Sequence, residues 1–333
     1  VTSGNAVNSS VCGVSGNRAN PFVMLSDNDC SEDHGDCFGF NLVYSGNHME
    51  SVSVSGFDKT RFLCGINPDG FEWYLEPGGA FEAPEAIMTF ASEGYNALSE
   101  NMHIFIQSHI VRGKWKDRER PILINSWEAA YFKFSESSLL KLARTASDAG
   151  IELFVLDDGW FGTRDDDHSS LGDWKVNTKK LPGGLKRLSE KINQMGMKFG
   201  IWVEPEMINA NSDLYRAHPD WAVNVEGREQ SLGRDQMILD LTRKDVQDNI
   251  ISQMEDVFRS GNIEYVKWDM NRIFTDCVSL KLPADRQREF FHRYVLGLYR
   301  LMDTLTKEFP DILFEGCASG GNRFDPGILC YFP

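Results

Sequence analysis

Two textures of hydrophobic patterning divide the chain. Up to about residue 118, short alternating runs such as Phe38 to Tyr44 (FGFNLVY) and Glu50 to Val54 (ESVSV) are separated by Gly, Ser and Asn. Alternation puts one face of a strand in a core and the other in water, so such runs between turn residues predict antiparallel strands of a sandwich. From about Arg120, short apolar runs alternate instead with long amphipathic stretches. ILINSW precedes ESSLLKLARTASDAG, ELFVLDDGW precedes LPGGLKRLSEKINQMG, and KFGIWVEPEM and MILDL precede RKDVQDNIISQMEDVFRSG. EYVKWDM then precedes RQREFFHRYVLGLYRLMDTLTKEF, which Pro310 ends, and ILFEGCASGG closes the series.

Such a series predicts parallel strand–helix units, about six of them, with each helix covering a sheet. Two α/β architectures accommodate them, an open doubly wound sheet and a (β/α)8 TIM barrel. The polar residues separate the two. Asp157 and Asp158 follow ELFVL, Glu204 and Glu206 follow FGIWV, Lys267 and Asp269 lie in EYVKWDM, and Cys317 follows ILFEG. Reactive groups at many successive strand ends belong to a barrel, whereas a doubly wound sheet gathers its ligand at one switch point, commonly with a Gly-rich phosphate loop. No GxGxxG or GxxxxGK[ST] follows an early strand. The expectation is therefore residues 1–118 as a β-sandwich region and residues 119–333 as about six of the eight units of a barrel, incomplete at its C-terminal end.

Composition narrows the function classes. With 34 Lys+Arg against 49 Asp+Glu the 333-residue chain carries a formal charge of −15, which repels nucleic acid and anionic membranes and favours a neutral ligand. No apolar run is long enough to cross a bilayer. The N-terminus, VTSGNAVNSS, has neither an initiator Met nor the basic and apolar regions of a signal peptide, and reads as a cut within a longer chain. Seven widely spaced cysteines without CxxC pairs point to a reducing, cytoplasmic compartment and away from a zinc site. No cofactor or metal is implied, since the Asp165, Asp166, Asp167 run lacks the Gly and closing Glu of a calcium loop. That run reads as a solvated loop paired through Arg164.

In YVKWDMNR, strand periodicity puts Lys267, Asp269 and Asn271 on one face and Val266, Trp268 and Met270 on the other. A charged face near a strand's C-terminal end calls for a cavity holding solvent or ligand. An ammonium beside Asp269 favours the ionised carboxyl that a nucleophile requires, although a Lys–Asp ion pair at a strand end fits the same residues. In LDDGW, Asp157 and Asp158 can both reach one ligand only if the chain bends, which Gly159 permits; two acids beside an aromatic suit a sugar, and an Asx turn is the plainer reading. Trp202, Glu204 and Glu206 alternate onto one side of WVEPEM. Cys317 lacks a local His to activate it and reads as a pocket wall or a buried turn residue.

The segments LDDGWFGTRDDDHSSLGDW, KFGIWVEPEMIN, YRAHPDW, YVKWDMNR, QREFFHRYVLGLYRL and FEGCASGGNRFDPG, in this order, resemble the microbial-type α-galactosidases of glycoside hydrolase family 36. Upstream, GFNLVYSGN, GINP and RERPILINSWEA resemble the end of that family's N-terminal β-supersandwich. The resemblance implies a retaining α-galactosidase acting on melibiose- and raffinose-type oligosaccharides, with Asp269 as nucleophile. Lys267 and Asn271 would flank it, Asp157 and Asp158 would bind O4 and O6 of galactose, and Trp202, Arg234, Cys317, Trp127 and the Gly320 backbone would line further subsites. The family's proton donor lies in a segment like TSDDTD, beyond a YFP-like stretch, whereas this sequence stops at Tyr331, Phe332 and Pro333. The acid/base is thus expected outside these 333 residues, and a polypeptide of these residues alone is expected to be inactive and poorly soluble. Family members suggest a homo-oligomer, a tetramer or dimer, at full length. An α-N-acetylgalactosaminidase or a raffinose-type galactosyltransferase shares much of the pattern; a non-catalytic carbohydrate-binding barrel would have lost Asp269.

Overall fold

The computed structural model describes residues 4–333. It divides into two compact units. The first comprises residues up to Lys116 together with Ala284–Val295 and Gly320–Pro333; the second comprises Asp117–Pro283 and Leu296–Ser319. From sequence the division was set between residues 118 and 119, with everything after it assigned to the barrel; the compact units are discontinuous along the chain. Of the two later segments grouped with the first unit, one holds the start of the long helix over Phe290–Glu308, and the other follows the strand Leu313–Gly316.

The first unit contains β1 (Asn5–Ser9), β2 (Phe22–Ser26), β3 (Cys37–Leu42), β4 (His48–Val54), β5 (Thr60–Ile66), β6 (Ala86–Ala91) and α1 (Gly94–Phe105). Its strands form two antiparallel three-stranded sheets, β1-β4-β5 and β2-β3-β6. Phe40 of β3 stacks on Phe62 of β5 with ring centroids 3.9 Å apart. The α1 residue Leu98 packs with Cys37 and Ala91 of the second sheet. Two buried polar contacts hold segments far apart in sequence, the Ser15 and Ser45 hydroxyls each donating to Asp325 at 2.7 Å, and within β4 His48 Nδ1 meets Glu50 at 3.0 Å.

The second unit is built on β7 (Leu123–Asn125), α2 (Trp127–Ala130), α3 (Glu136–Asp148), β8 (Leu153–Leu156), α4 (Gly184–Asn193), β9 (Lys198–Val203), β10 (Met207–Asn209), α5 (Asp213–Ala217), β11 (Gln236–Ile238), α6 (Lys244–Arg259), β12 (Tyr265–Trp268), the part of α7 (Phe290–Glu308) from Leu296 onward, and β13 (Leu313–Gly316). Its main sheet is parallel and runs β7-β8-β9-β12-β13, each strand beside the one that precedes it in the series. Unreversed order is what distinguishes a (β/α)8 barrel from a doubly wound sheet. The strands β8 and β9 are buried almost throughout, as strands covered on both faces must be. Helix α3 starts with a reciprocal capping box between Ser135 and Ser138, and α4 buries Leu185, Leu188, Ser189 and Ile192, one stripe at helical spacing. A short last helix, α8 (Pro326–Leu329), is capped by Asp325.

One expected barrel strand is not in the sheet. The MILDL run forms β11, which pairs antiparallel with β10 in a separate two-stranded sheet, Met207 opposite Ile238. The run is too short to choose a partner by hydrophobicity, and the left-handed residues Arg234 and Asp235 (φ 55° and 54°) turn the chain just before it. The main sheet therefore has five parallel strands rather than six.

At the register Gly200 opposite Tyr265, where β9 pairs with β12, a Cβ on Gly200 would lie 2.8 Å from the Tyr265 ring and 3.1 Å from its carbonyl oxygen. Gly200→Ala should therefore push the two strands apart and cost about 1–3 kcal/mol. Gly56→Ala, whose Cβ meets nothing within 4 Å, should change stability by less than about 0.5 kcal/mol. Urea denaturation of the two variants checks both.

Candidate active site

The C-terminal ends of β7, β8, β9, β12 and β13 deliver Asn125, Asp157 and Asp158, Glu204, Asp269, and Cys317. Parallel register makes these ends neighbours, so residues 32 to 192 positions apart in sequence meet at one edge of one sheet. The order of strands explains the gathering better than any local motif does.

Asp269 is the centre of it. The carboxyl is buried, 5% exposed. The Trp202 indole N–H donates to its Oδ2 at 3.0 Å and the Asn271 amide donates to the same oxygen at 2.8 Å. The Met270 N–H donates to Oδ1 at 2.9 Å and the Ser319 N–H reaches it at 3.4 Å. Burial pushes the carboxyl toward neutrality, but hydrogen bonds from Trp202, Cys317 and Asn271 and the positive charge of Lys267 outweigh it, so Asp269 stays below the usual carboxylate range. The expected same-face set of Lys267, Asp269 and Asn271 is present, with Asn271 anchored in turn by the Ser319 hydroxyl at 2.9 Å.

Lys267 holds Asp157. Its ammonium lies 3.1 Å from Asp157 Oδ2, an oxygen that also accepts the Asn125 amide at 2.6 Å. Burial works against the charge on Lys267, yet Asp157, Cys317 and Asp269 together raise its pKa, so it remains a cation. Asp157 also orders the turn: its Oδ1 accepts the Asp158 N–H, while its own N–H donates to Ser126 Oγ.

Asp158 has a different partner from the one expected. Arg164, read from sequence as a companion of the acidic run, is fully buried and grips Asp158 with both ends of its fork, Nε to Oδ1 at 2.6 Å and Nη2 to Oδ2 at 2.8 Å. Its remaining nitrogen donates to the Ser169 carbonyl at 2.7 Å. Planar bidentate recognition is what Arg does best, and a buried carboxylate draws it more strongly than solvated ones can. Of the run itself, Asp165 pairs with Lys180 at 2.8 Å. Burial still pushes Asp158 upward against the pull of Arg164.

Behind these groups, Glu204 is completely buried, and burial together with the negative charge of Asp269 pushes it up to about 8. Trp202, Glu204 and Glu206 do not share one environment as strand alternation suggested. Trp202 faces Asp269, Glu204 accepts the Asn271 N–H, and Glu206 accepts the Trp268 indole at 2.8 Å, on the side of β12 away from Asp269. The strand β9 ends at Val203, so alternation no longer holds beyond it.

The remaining expected residues are more dispersed. Trp127 is half-buried at the start of α2, edge-on to Tyr131 and Phe132, with its N–H on Asn125 Oδ1. Arg234 is exposed in left-handed backbone before β11. Gly320, at φ 93°, opens the Gly320–Pro333 segment of the first unit. Sequence reasoning missed Asn125, Arg164, Ser319 and Gln236. Asn125 was visible in principle as a polar residue ending an apolar strand, like Asp157; Arg164 was not, because its partner is chosen by burial. Among the described residues, no group of three His, Cys, Asp or Glu is placed to hold a metal ion. All seven cysteines are free thiols.

Chemically, the cluster offers one ionised carboxylate, one ammonium, an amide, a thiol and an indole around a common point. A polyhydroxylated neutral ligand can be both gripped and attacked there.

The melibiase family pattern matches residues 80–333, and the glycosyl hydrolase family 36 N-terminal domain pattern matches residues 1–76. Alpha-galactosidase AgaA of Geobacillus stearothermophilus is 52% identical over 321 residues, 96% of this chain and 44% of AgaA. Alpha-galactosidase Mel36A of Lactobacillus acidophilus is 48% identical over 325 residues, 98% of this chain and 44% of Mel36A. The crystal structure of an AgaA variant in complex with raffinose superposes with a TM-score of 0.98 at 51% identity, over 100% of this chain and 46% of that one. The chain thus spans about half the length of the relatives it matches. Among the described residues, no helix is long and apolar enough to cross a membrane.

Replacing Arg164 by Met should leave Asp158 buried without its cation and cost about 3–5 kcal/mol near neutral pH. The loss should shrink as pH falls below the ordinary carboxylate range, because a neutral Asp158 needs no counter-charge. Denaturant unfolding at pH 4 and pH 7 checks it.

Proposed function

We propose, because this chain belongs to the melibiase family of glycosyl hydrolases, that the protein hydrolyses terminal α-galactosides with retention of configuration and that Asp269 is the nucleophile. The observation that carries this reading is a carboxyl buried at a barrel strand end yet held ionised by Trp202, Cys317, Asn271 and Lys267. An anion already desolvated and oriented loses little on forming a bond to carbon, which favours attack on a sugar C1. In the first step a bond forms from an Asp269 oxygen to C1 and the glycosidic bond breaks, the leaving oxygen taking a proton from a second acid. In the second step water replaces Asp269 at C1 and the second acid, now a base, takes the water's proton.

The carboxylates around Asp269 do not supply that acid in this reading. Asp157 is tied to Lys267, Asp158 to Arg164, and Glu204 has no surface from which to reach a leaving group. In this reading the donor is the Asp that the family resemblance places in a TSDDTD-like segment, which residues 1–333 do not contain.

Lys267, Asn271 and Cys317, together with Asp157 and Asp158, hold the galactose hydroxyls, and Trp127 and Arg234 line the leaving-group side. Binding of raffinose and stachyose by AgaA variants supports oligosaccharides of that type as substrates.

Initial rates of the whole protein on an aryl α-galactoside and the matching aryl α-N-acetylgalactosaminide test the reading. Turnover of the first alone is expected, and Asp269→Ala should lower it by roughly 10³-fold or more. Preference for the second substrate would keep the chemistry and replace the substrate. No turnover of either, or full activity in Asp269→Ala, would overturn the proposal.

A further inference from the structure

Behind Asp269 lies a second carboxyl that the proposed reaction does not use. Glu204 follows the last residue of β9, is 0% exposed, and is close enough to Asp269 for the two carboxyls to repel. Its Oε1 accepts the N–H of Asn271 and its Oε2 lies 3.2 Å from the Gln236 amide nitrogen. Asn271 is the residue whose amide holds Asp269 Oδ2, at 2.8 Å. Glu204 therefore fixes the main chain of the residue that fixes the nucleophile. Gln236 adds a further observation: its side chain is buried and its Oε1 has no hydrogen-bond partner.

We propose that Glu204 is a positioning residue of the α-galactosidase site, acting as a neutral acid that pins Asn271, and through it Asp269, between the ends of β9 and β12. The inference rests on the glycosidase reading for its kinetic consequence, but not for its chemistry. Two carboxylates in one buried space cannot both ionise cheaply, and the donors divide them unequally. Asp269 receives the Trp202, Cys317, Asn271 and Lys267 contacts, whereas Glu204 receives the Asn271 main-chain N–H, a share of the Asn271 side-chain amide and the Gln236 amide, with no cation and no indole. The charge settles on Asp269 and the proton on Glu204.

The other charged groups nearby do not reverse that division. Asp158, which also repels a charge on Glu204, is neutralised by Arg164. The Arg272 guanidinium is spent on the Gln236 and Ser231 carbonyls. A neutral Glu204 is compatible with Gln236 in either orientation of its amide: with Nε2 toward Glu204 the amide donates to Oε2, and with the two ends exchanged the oxygen stands 3.2 Å from Oε2 and accepts the carboxyl proton. Ionising Glu204 would return two like charges to one buried space and drive the ends of β9 and β12 apart.

The consequence for stability has a definite sign. A carboxyl whose value is about 8 when folded and near 4.5 when exposed binds a proton in the folded chain that it has lost in the unfolded one, so stability falls as pH rises between those values. Glu204→Gln keeps an acceptor for Asn271 and cannot ionise.

The test compares the whole protein with its Glu204→Gln and Glu204→Ala variants, by thermal unfolding from pH 5 to pH 9 and by turnover of α-galactosyl fluoride, whose departure needs little help from a proton donor. Glu204→Ala should lower kcat roughly 10- to 100-fold, because the Asn271 N–H loses its acceptor, with little change in KM. Glu204→Gln should restore most of that loss and carry activity further into the alkaline range than the natural residue does. The melting temperature of Glu204→Gln relative to the natural protein should rise by roughly 2–5 °C between pH 5 and pH 9. A melting difference that stays flat with pH, or a Glu204→Gln variant as slow as Glu204→Ala, would overturn the inference. If the natural protein does not turn over α-galactosides, the function reading fails, and the melting difference still decides whether Glu204 is neutral.

Discussion

A carboxylate kept charged out of water is expensive, and the second unit is organised around meeting that cost at Asp269. Moving an isolated carboxylate into a protein interior carries a penalty of several kcal/mol unless donors replace its hydration. Here four donors arrive from three places: Trp202 from the end of β9, Asn271 and Met270 from the chain just past β12, and Ser319 from the loop after β13. The Asn271 and Met270 contacts are local, but those of Trp202 and Ser319 require β9, β12 and β13 to be neighbours in parallel register, so the electrostatics of one oxygen pair depends in part on the strand order of the sheet.

The other charges follow as consequences. Lys267 is drawn in by Asp157 as well as by Asp269, so the ammonium bridges the ends of β8 and β12. Asp158, on the next residue and with burial against it, cannot share that cation and takes Arg164 instead. Three acids at the ends of β8 and β12 thus receive three different solutions: donors for Asp269, an ammonium for Asp157, a guanidinium for Asp158. In the proposed chemistry only the first leaves its carboxylate available for bonding to carbon.

Much of this was legible in the sequence, and the failures have physical causes. Strand–helix alternation identified the parallel sheet, because it depends only on local geometry repeated along the chain. Lys267, Asp269 and Asn271 converge as strand periodicity suggested although β12 ends at Trp268, but past the end of a strand periodicity is no rule. Trp202, Glu204 and Glu206 were read as one face, but β9 ends at Val203 and the three side chains go to three different partners. The MILDL run was read as a barrel strand, and its length and apolar character fit one; the turn at Arg234 and Asp235, which sends it to β10, leaves no hydrophobic signal. Arg164 was assigned to the acidic residues beside it in sequence, whereas burial gave it to Asp158. Sequence patterns report which groups lie at a strand end; which of them pair is settled by competition among buried charges, and that competition involves the whole sheet edge.

The central claim is that Asp269 forms the bond to the sugar. Its most direct test is to trap that bond: incubate the whole protein with a 5-fluoro galactosyl fluoride, on which the first step is expected to outrun the second, digest it, and find the modified peptide by mass spectrometry. The account predicts one added fluorogalactosyl group on the peptide spanning Tyr265 to Arg272, located on Asp269 by fragmentation. A label on Asp157, Asp158 or Glu204, or inactivation without any covalent label, would contradict it.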